Sequence, residues 1–564
     1  MKWQLVPATN DIPYEDYPEI PAPVVRILWN RGLTTQSGID HWLHPEYATD
    51  CLDPYLFRAM RLAVDRIFQA REQQEKVVIH GDYDADGVAA ATILYTVLLN
   101  LGLSVEVFLP HREKDGYGLN PHTIEDLKSQ GAQLIITCDC GISNRDEVAL
   151  AKTLDIDVII TDHHQVPEIL PEAVAIIHPR VKGETYPFIE LAGGGVAFKL
   201  AQGIIHDQRS GWNERQIEAQ EKWLLDLVAI STVADMVSLT GENRALVKYG
   251  LMVLRKNKRL GLAALLETAK LEPQQVSEQS ISFQIAPRLN AAGRMDHASG
   301  AFYLLIESDP AKAAQLAQAL NDANTRRQKE TETMFRSALA QNPDSSQDAL
   351  FFYDDRWPLG LTGLVAGRLV KHYNRPCFVL GHDGDKIVGS GRSIPGLDIY
   401  QAVKQAEELL IAFGGHSQAC GFRLPTDQLK IFQDRVTNYV RQRLPDLDTV
   451  PELTIDTTLM LPDINWELLD YLAFFPPFGL GNEQPLFMTA DVTVNSAIMV
   501  GKDLNHWKLS VEQAGRKLPA IAFDQKHLSL KVADHIDMVY AVTINEWNGN
   551  REIQLQIKDI KPHE

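Results

Sequence analysis

Cysteine is scarce in this chain. Its 564 residues hold five, Cys51, Cys138, Cys140, Cys377 and Cys420, scattered without the paired spacing of a disulfide framework, so a reducing compartment, the cytoplasm, is expected. Cys138 and Cys140 lack both the spacing of a zinc hook and a second pair to complete one, and read as small core residues. Long apolar runs are missing too. Nothing is extended enough to span a bilayer, and the opening Met1-Lys2-Trp3-Gln4-Leu5-Val6-Pro7 turns polar too soon for a secretory signal. Membrane attachment and export are therefore not expected. Basic charge is in deficit as well, since 54 Lys and Arg face 74 Asp and Glu for a formal net charge of -20. At first sight that balance opposes a nucleic-acid partner. It is a blunt measure, because basic side chains recur locally in Arg255-Lys256-Asn257-Lys258-Arg259 and Arg326-Arg327-Gln328-Lys329. The first of these runs reads more readily as a solvated helix face.

The acids that are present are unevenly spread. Val77-Val78-Ile79 runs into His80-Gly81-Asp82-Tyr83-Asp84-Ala85-Asp86-Gly87, which crowds three carboxylates and an imidazole into seven residues at the end of a buried-type strand. Two more apolar runs end the same way: Leu134-Ile135-Ile136-Thr137-Cys138 meets Asp139, and Val158-Ile159-Ile160-Thr161 meets Asp162-His163-His164. In a parallel sheet joined by crossover helices the carboxyl ends of the strands share one edge, so the three clusters are expected to meet there. Like charges so close repel and raise one another's pKa unless a cation intervenes. Oxygen-rich ligands with one or two imidazoles suit a pair of hard divalent ions, manganese before magnesium. Taken alone, Asp139 reads equally well as a helix cap; it is the recurrence after three strands, with Asp235 following in an apolar stretch, that points to metal.

The ordered set of motifs carries a resemblance. His80 to Gly87, Asp162-His163-His164, Thr232-Val233-Ala234-Asp235, Pro287-Arg288-Leu289-Asn290-Ala291-Ala292-Gly293-Arg294 and Gly414-Gly415-His416 together resemble the DHH phosphoesterases, in particular their bacterial branch of exonucleases specific for single-stranded DNA. The likeness covers nearly the whole chain. It implies metal ligation by His80, Asp84 and Asp86, with Asp139 bridging two ions and His163 and Asp235 completing the second set. Asp82 and Asp162 are implied as neighbours that orient the imidazoles, and His164 as a group facing phosphate. Arg392 and His416 would grip the scissile region, with Ser390 beside them. Arg112 and Arg294, with Gln328 as a weaker third, are implied as a pocket for a terminal 5′-phosphate, a group that suits the bidentate guanidinium. For the Gly193-Gly194-Gly195 run, a functional role and a purely structural one, as a tight turn or close packing point, are equally open.

Length alone predicts three to four domains. The expected organisation is an N-terminal extension over 1–70 packed on the catalytic domain; a doubly wound parallel-sheet α/β DHH domain over 71–307; and a connecting helix over 308–345. A smaller α/β DHH-associated substrate domain over 346–448 and an OB-like β-barrel over 449–564 complete it. Asp309-Pro310 start the long helix and Asn342-Pro343 stop it, and it is expected to act as a strut across an open groove. About five short alternating strands beyond Val450 suggest the barrel, on which Trp507, Lys508, Phe523 and Trp547 are candidates to hold a single strand. Residues 474–482, apolar and rich in turn formers, read as a packed boundary element.

The expected activity is two-metal hydrolysis of single-stranded DNA from its 5′ end, yielding 5′-mononucleotides, by a monomer serving DNA repair and recombination. A helicase and a single-strand-binding protein are candidate recruiting partners. Two rival readings use similar domains: a phosphodiesterase for small substrates, and a non-catalytic scaffold in replication.

Overall fold

The computed structural model describes every residue except 8–11, 113, 342, 345–346, 447–449, 502, 526–527, 548 and 564, together with the side chains of 446 and 547. The chain forms two compact units. One comprises Leu52–Val237 and Gly241–Thr449, the other Met1–Cys51, Ser238–Thr240 and Val450–Glu564.

The first unit is built on a sheet of β1 (Lys76–Gly81), β2 (Ser104–Phe108), β3 (Ala132–Cys138), β4 (Asp157–Thr161) and β5 (Ala175–Ile177), in the order β2-β1-β3-β4-β5. All four pairings are parallel. The unbroken apolar runs follow from burial on both faces. Val78, Ile135, Val158 and Ile160 pack with Ile124, Leu127, Val148 and Ala151 on one side. The alternate residues Val77, Ile79, Leu134, Ile136 and Ile159 are as deeply buried, on the side of α1 (Ala85–Asn100) and α2 (Gly193–His206), which lie against the strands. Helix α3 (Leu225–Ala234) packs on α1 and α2, and α4 (Ala286–Met295) reaches α1.

Helix α5 spans Pro310–Ala340, capped by Asp309, whose carboxylate accepts from the backbone N–H groups of Ala311 and Lys312. Its 31 residues correspond to about 46 Å at 1.5 Å each. The helix does not cross open space as expected. Its small apolar stripe, Ala313, Ala317 and Leu320, is buried, and it lies along the helices Leu260–Thr268, α4 and Ser299–Ile306. A second sheet follows, made of β6 (Leu350–Tyr353), β7 (Cys377–Asp383), β8 (Lys386–Arg392), β9 (Ala412–His416) and β10 (Ala419–Pro425) in the order β9-β10-β8-β7-β6. Between β6 and β7 runs α6 (Thr362–Tyr373).

The second unit holds a closed barrel of five strands, β11 (Phe487–Val500), β12 (His506–Gln513), β13 (Arg516–Ala522), β14 (His535–Trp547) and β15 (Asn550–Pro562). Order β11-β12-β13-β15-β14 closes through a β11–β14 pairing, and β13 meets β15 in parallel. The expected strand at Leu453 is real but lies outside the barrel: Glu452–Ile455 pairs in parallel with Lys2–Leu5. Strand β13 was not anticipated, because Pro519 interrupts its pattern. The expected extension over 1–70 also divides differently. The Met60–Glu72 helix belongs with the parallel sheet, whereas Val24, Val25, Ile27 and Leu28 of the Ala22–Asn30 helix share one core with Leu461, Phe475 and Phe487. The 474–482 element is packed as expected, with Phe475 buried and the Asn482 amide donating to the carbonyls of Phe475 and Pro477.

Candidate metal centre

The strand ends of the first unit do converge. Directly after β1, Asp84 caps α1 by accepting from the N–H groups of Asp86 and Gly87 at 2.9 and 3.1 Å. Asp86, in the first turn, is held from outside the helix: the N–H groups of Gly193 and Gly194 donate to it at 2.8 and 2.7 Å, and the Ser231 hydroxyl at 2.5 Å. Asp139 follows β3 in the left-handed region at φ 61°, a conformation that Asp tolerates better than most residues. The His163 Nε2 lies 3.1 Å from Asp139, 3.6 Å from Asp235 and 3.8 Å from Asp86.

Three sets of side chains could each close on a cation: Asp82, Asp84 and Asp139; Asp86, His163 and Asp235; and Asp139, His163 and His164. The first and third contain Asp139, and the second reaches it through His163. Donors about 2.1 Å from an octahedral ion stand about 3 Å apart, which is the spacing the His163–Asp139 pair shows. One oxygen each of Asp82 and Asp139, and the His163 Nε2, are buried without a hydrogen-bond partner. Such orphans are costly unless something meets them. A divalent cation does so, and the donor set fits one.

The electrostatics agree. Burial, reinforced by the neighbouring Asp84, pushes Asp82 well above the usual carboxylate range, and burial with Asp86 does the same to Asp139. Asp235 is pushed up to about 8 by burial and by Asp86 and Asp84. Burial lowers His163 to about 4, leaving its ring neutral and free to ligate. His164 differs. Burial alone would lower it, yet its Nδ1 donates to Asp162 at 2.8 Å, and that carboxylate raises it to about 9.

Guanidinium groups rim this acidic centre. Arg294 is lowered to about 9 by burial and by the charges of Arg112 and Arg327, and Arg392 is lowered by burial with Arg112 again contributing. Asp82 and Asp84 feel the charge of Arg112, and Asp84 that of Arg294, without a direct ion pair among the described residues. Arg392 ends β8 beside the start of α6, where a Cβ on Gly363 would come within 2.9 Å of its guanidinium, and Ser390 shares a hydrogen bond with Thr362 at 2.9 Å.

Family models match this chain in order: the N-terminal domain of the DHH family over residues 76–232, the DHHA1 domain over 347–442 and the RecJ OB domain over 455–559. The single-stranded-DNA-specific exonuclease RecJ of Bacillus subtilis (strain 168) is 36% identical over 542 residues, which are 95% of this chain and 67% of that protein. Its counterpart in Escherichia coli (strain K12) is 33% identical over 99% of this chain and 98% of its own length. The chain belongs to the RecJ family. The crystal structure of RecJ in complex with Mn2+ from Thermus thermophilus matches it with a TM-score of 0.85 at 28% identity, covering 100% of this chain and 80% of that one.

Of the residues expected from the RecJ-like motifs, Asp84, Asp86, Asp139, His163 and Asp235 come together, with Asp162 and His164 beside them. His80 does not join them. As the last side chain on the Val78 face of β1 it is fully buried, tilted against Phe108 at 5.2 Å and 3.7 Å from the Cys140 sulfur, and no metal-competent set among the described residues includes it. Asp82, expected as a supporting neighbour, stands instead among the possible ligands, because it lies beyond the strand on the open edge. Gln328 is exposed, whereas Arg327, one position earlier on α5, is the residue whose charge reaches Arg294. His416, on the edge strand β9, feels the charges of both Arg392 and His164. On the barrel, Lys508 and Phe523 are exposed, Trp507 packs against the core, and the Trp547 side chain lies outside the described residues.

The glycine triplet proves to be a matter of close approach. A Cβ on Gly193 would sit 2.5 Å from an Asp139 oxygen, and one on Gly194 2.3 Å from the Ser231 hydroxyl. Gly193, Gly194 and Ser231 were not singled out as site residues; the signal was the glycine run itself, legible only once its partners were placed.

Proposed function

We propose that this RecJ-family chain is a metal-dependent exonuclease that releases 5′-mononucleotides from the 5′ end of single-stranded DNA, acting in repair and recombination. One observation carries the reading: a ligand set containing Asp139 and a second set whose His163 lies 3.1 Å from Asp139 stand beside arginines whose charges reach Asp82 and Asp84. Asp82, Asp84 and Asp139 would hold one divalent ion, and Asp86, His163 and Asp235 with Asp139 a second. Manganese or magnesium, when bound, supplies Lewis acidity toward phosphoryl oxygens and brings the pKa of water toward neutrality.

The chain's own groups then divide the remaining work. Asp86 is kept in place by the two N–H groups at the start of α2 and by Ser231, so its carboxylate does not reorganise as charge develops. His164, whose Nδ1 donates to Asp162, would face a phosphoryl oxygen with the rest of its imidazole. Arg392 and His416 would hold the phosphate next to the scissile bond, with Ser390 beside them, while Arg112, Arg294 and Arg327 would take the terminal 5′-phosphate. Gripping the end in that pocket places the first linkage at the ions and sets the polarity. The barrel, through Lys508 and Phe523, would track the strand behind it. A single-strand-binding protein or a helicase as recruiter, action as a monomer and residence in the cytoplasm complete the proposal.

The deciding experiment uses end-labelled single and double strands, with phosphate or hydroxyl at the 5′ end, in manganese and in magnesium. Release of labelled 5′-mononucleotide from single strands alone is the expected result. Internal cleavage, 3′-end attack, or activity confined to dinucleotides would overturn it and favour a small-substrate phosphodiesterase.

A further inference from the structure

Tyr83 lies between Asp82 and Asp84, two of the carboxylates that could hold a cation. Its ring touches Arg112, whose guanidinium carbon stands 4.7 Å from the ring centroid. A guanidinium over the face of an aromatic ring is attracted by the ring quadrupole, most strongly where water is excluded. The backbone that carries the ring is closely packed. Helix α4 passes so close that a Cβ on Gly293 would come within 2.5 Å of the Tyr83 carbonyl oxygen and 3.5 Å of its Cβ.

Arg112 needs such a support. Among the described residues it makes no ion pair: Asp82 and Asp84 attract it from a distance, while the like charges of Arg294 and Arg392 repel it. With attraction and repulsion opposed and no ion pair to set its direction, this flexible side chain needs a contact that fixes where its guanidinium points. Tyr83 is the residue placed to provide it.

We propose that Tyr83 is a positioning residue: its ring holds Arg112 facing the other arginines, ready for the terminal phosphate of the strand, and ties that site to the backbone that presents Asp82 and Asp84. The inference rests on the exonuclease reading above. It predicts that the ring, and not the hydroxyl, carries the role.

The test compares Tyr83→Phe, Tyr83→Leu and Arg112→Ala in the full-length protein on oligonucleotides bearing a 5′-phosphate or a 5′-hydroxyl, with manganese affinity measured by calorimetry. Tyr83→Phe keeps wild-type discrimination. Tyr83→Leu raises KM for the phosphorylated strand by about tenfold, the size of a buried cation–π contact, and reduces the phosphate-to-hydroxyl preference by the same factor, while kcat and manganese affinity stay within about threefold. Arg112→Ala adds little in the Tyr83→Leu background, as expected for two residues acting as one. The proposal is overturned if Tyr83→Leu leaves the preference intact, if Tyr83→Phe loses it, or if the two substitutions act additively. Loss of manganese binding in Tyr83→Leu, or in Tyr83→Phe, would equally overturn it, by showing that the residue serves the metal centre. A wild-type protein that degrades no single strands would sink the functional reading instead, so the two failures are distinguishable.

Discussion

At the scale of single residues, the centre stores repulsion that a cation relieves, and the titration of its groups gives that statement a sign. Asp235, at about 8, holds a proton in the folded chain that it would have lost near pH 4 when unfolded. Between those values the folded state binds more protons, so stability falls as pH rises. His164, at about 9, works in the same direction above its ordinary value, whereas His80 and His163, both lowered to about 4, oppose the trend only below about 6.5. From pH 6.5 to 8 the metal-free protein should therefore lose stability. With manganese the slope reverses, because the ion must displace those protons and binds better as they leave. Thermal unfolding across that interval in chelator and in manganese checks both signs; parallel curves would refute the cation reading. Asp139→Asn should abolish hydrolysis and weaken manganese binding. It should leave the metal-free protein at least as stable as the wild type, because Asn tolerates the left-handed backbone at 139 and one repelling charge is gone.

At the scale of elements, the legible part of the site was what strands dictate. Unbroken apolar runs ending in Asp or His announced a parallel sheet with chemistry at its carboxyl edge, and Asp84, Asp86, Asp139 and His163 stand there. Less legible was anything set by the approach of one helix to another. Whether His80 or Asp82 turns toward the open edge depends on where β1 ends and on Phe108 covering the neighbouring face. The fit of α2 against Asp86 and Asp139 depends on atoms that glycine does not have. Ser231, halfway along α3, gave no signal in an apolar helix until its hydroxyl was found on Asp86. Ser231→Ala should lower manganese affinity or activity by about 10 to 100-fold, as removal of a ligand's hydrogen-bond partner does. Gly194→Ala should be harsher. Its new Cβ overlaps the same hydroxyl at 2.3 Å and forces α2 away from Asp86, which costs about 1–3 kcal/mol of stability in addition to activity. Differential scanning calorimetry with a manganese titration separates the two variants, and equal melting temperatures would contradict the overlap.

At the scale of the whole molecule, charge and chain order both mislead until the units are known. The formal charge of -20 includes carboxylates that a pair of cations would neutralise, so it says little about the surface a strand meets. The first fifty residues, adjacent in sequence to the parallel sheet, belong with the barrel at the other end of the chain. Val24, Val25, Ile27 and Leu28 are fully buried in the core that the barrel unit provides, each worth about 1.5–3 kcal/mol of burial. Removing residues 450–564 alone would leave that helix face and the Lys2–Leu5 strand without the partners they have here. A chain of residues 1–449 should consequently aggregate, while 52–449 should be monodisperse and melt at a higher temperature. Size-exclusion chromatography and thermal melts of the two truncations decide the matter, and equal solubility would show that the N-terminal segment stands by itself. In the shorter chain kcat on very short strands should survive while KM for long ones rises, because the metal centre and its arginines all lie within Leu52–Val237 and Gly241–Thr449 and only the tracking surface has been removed.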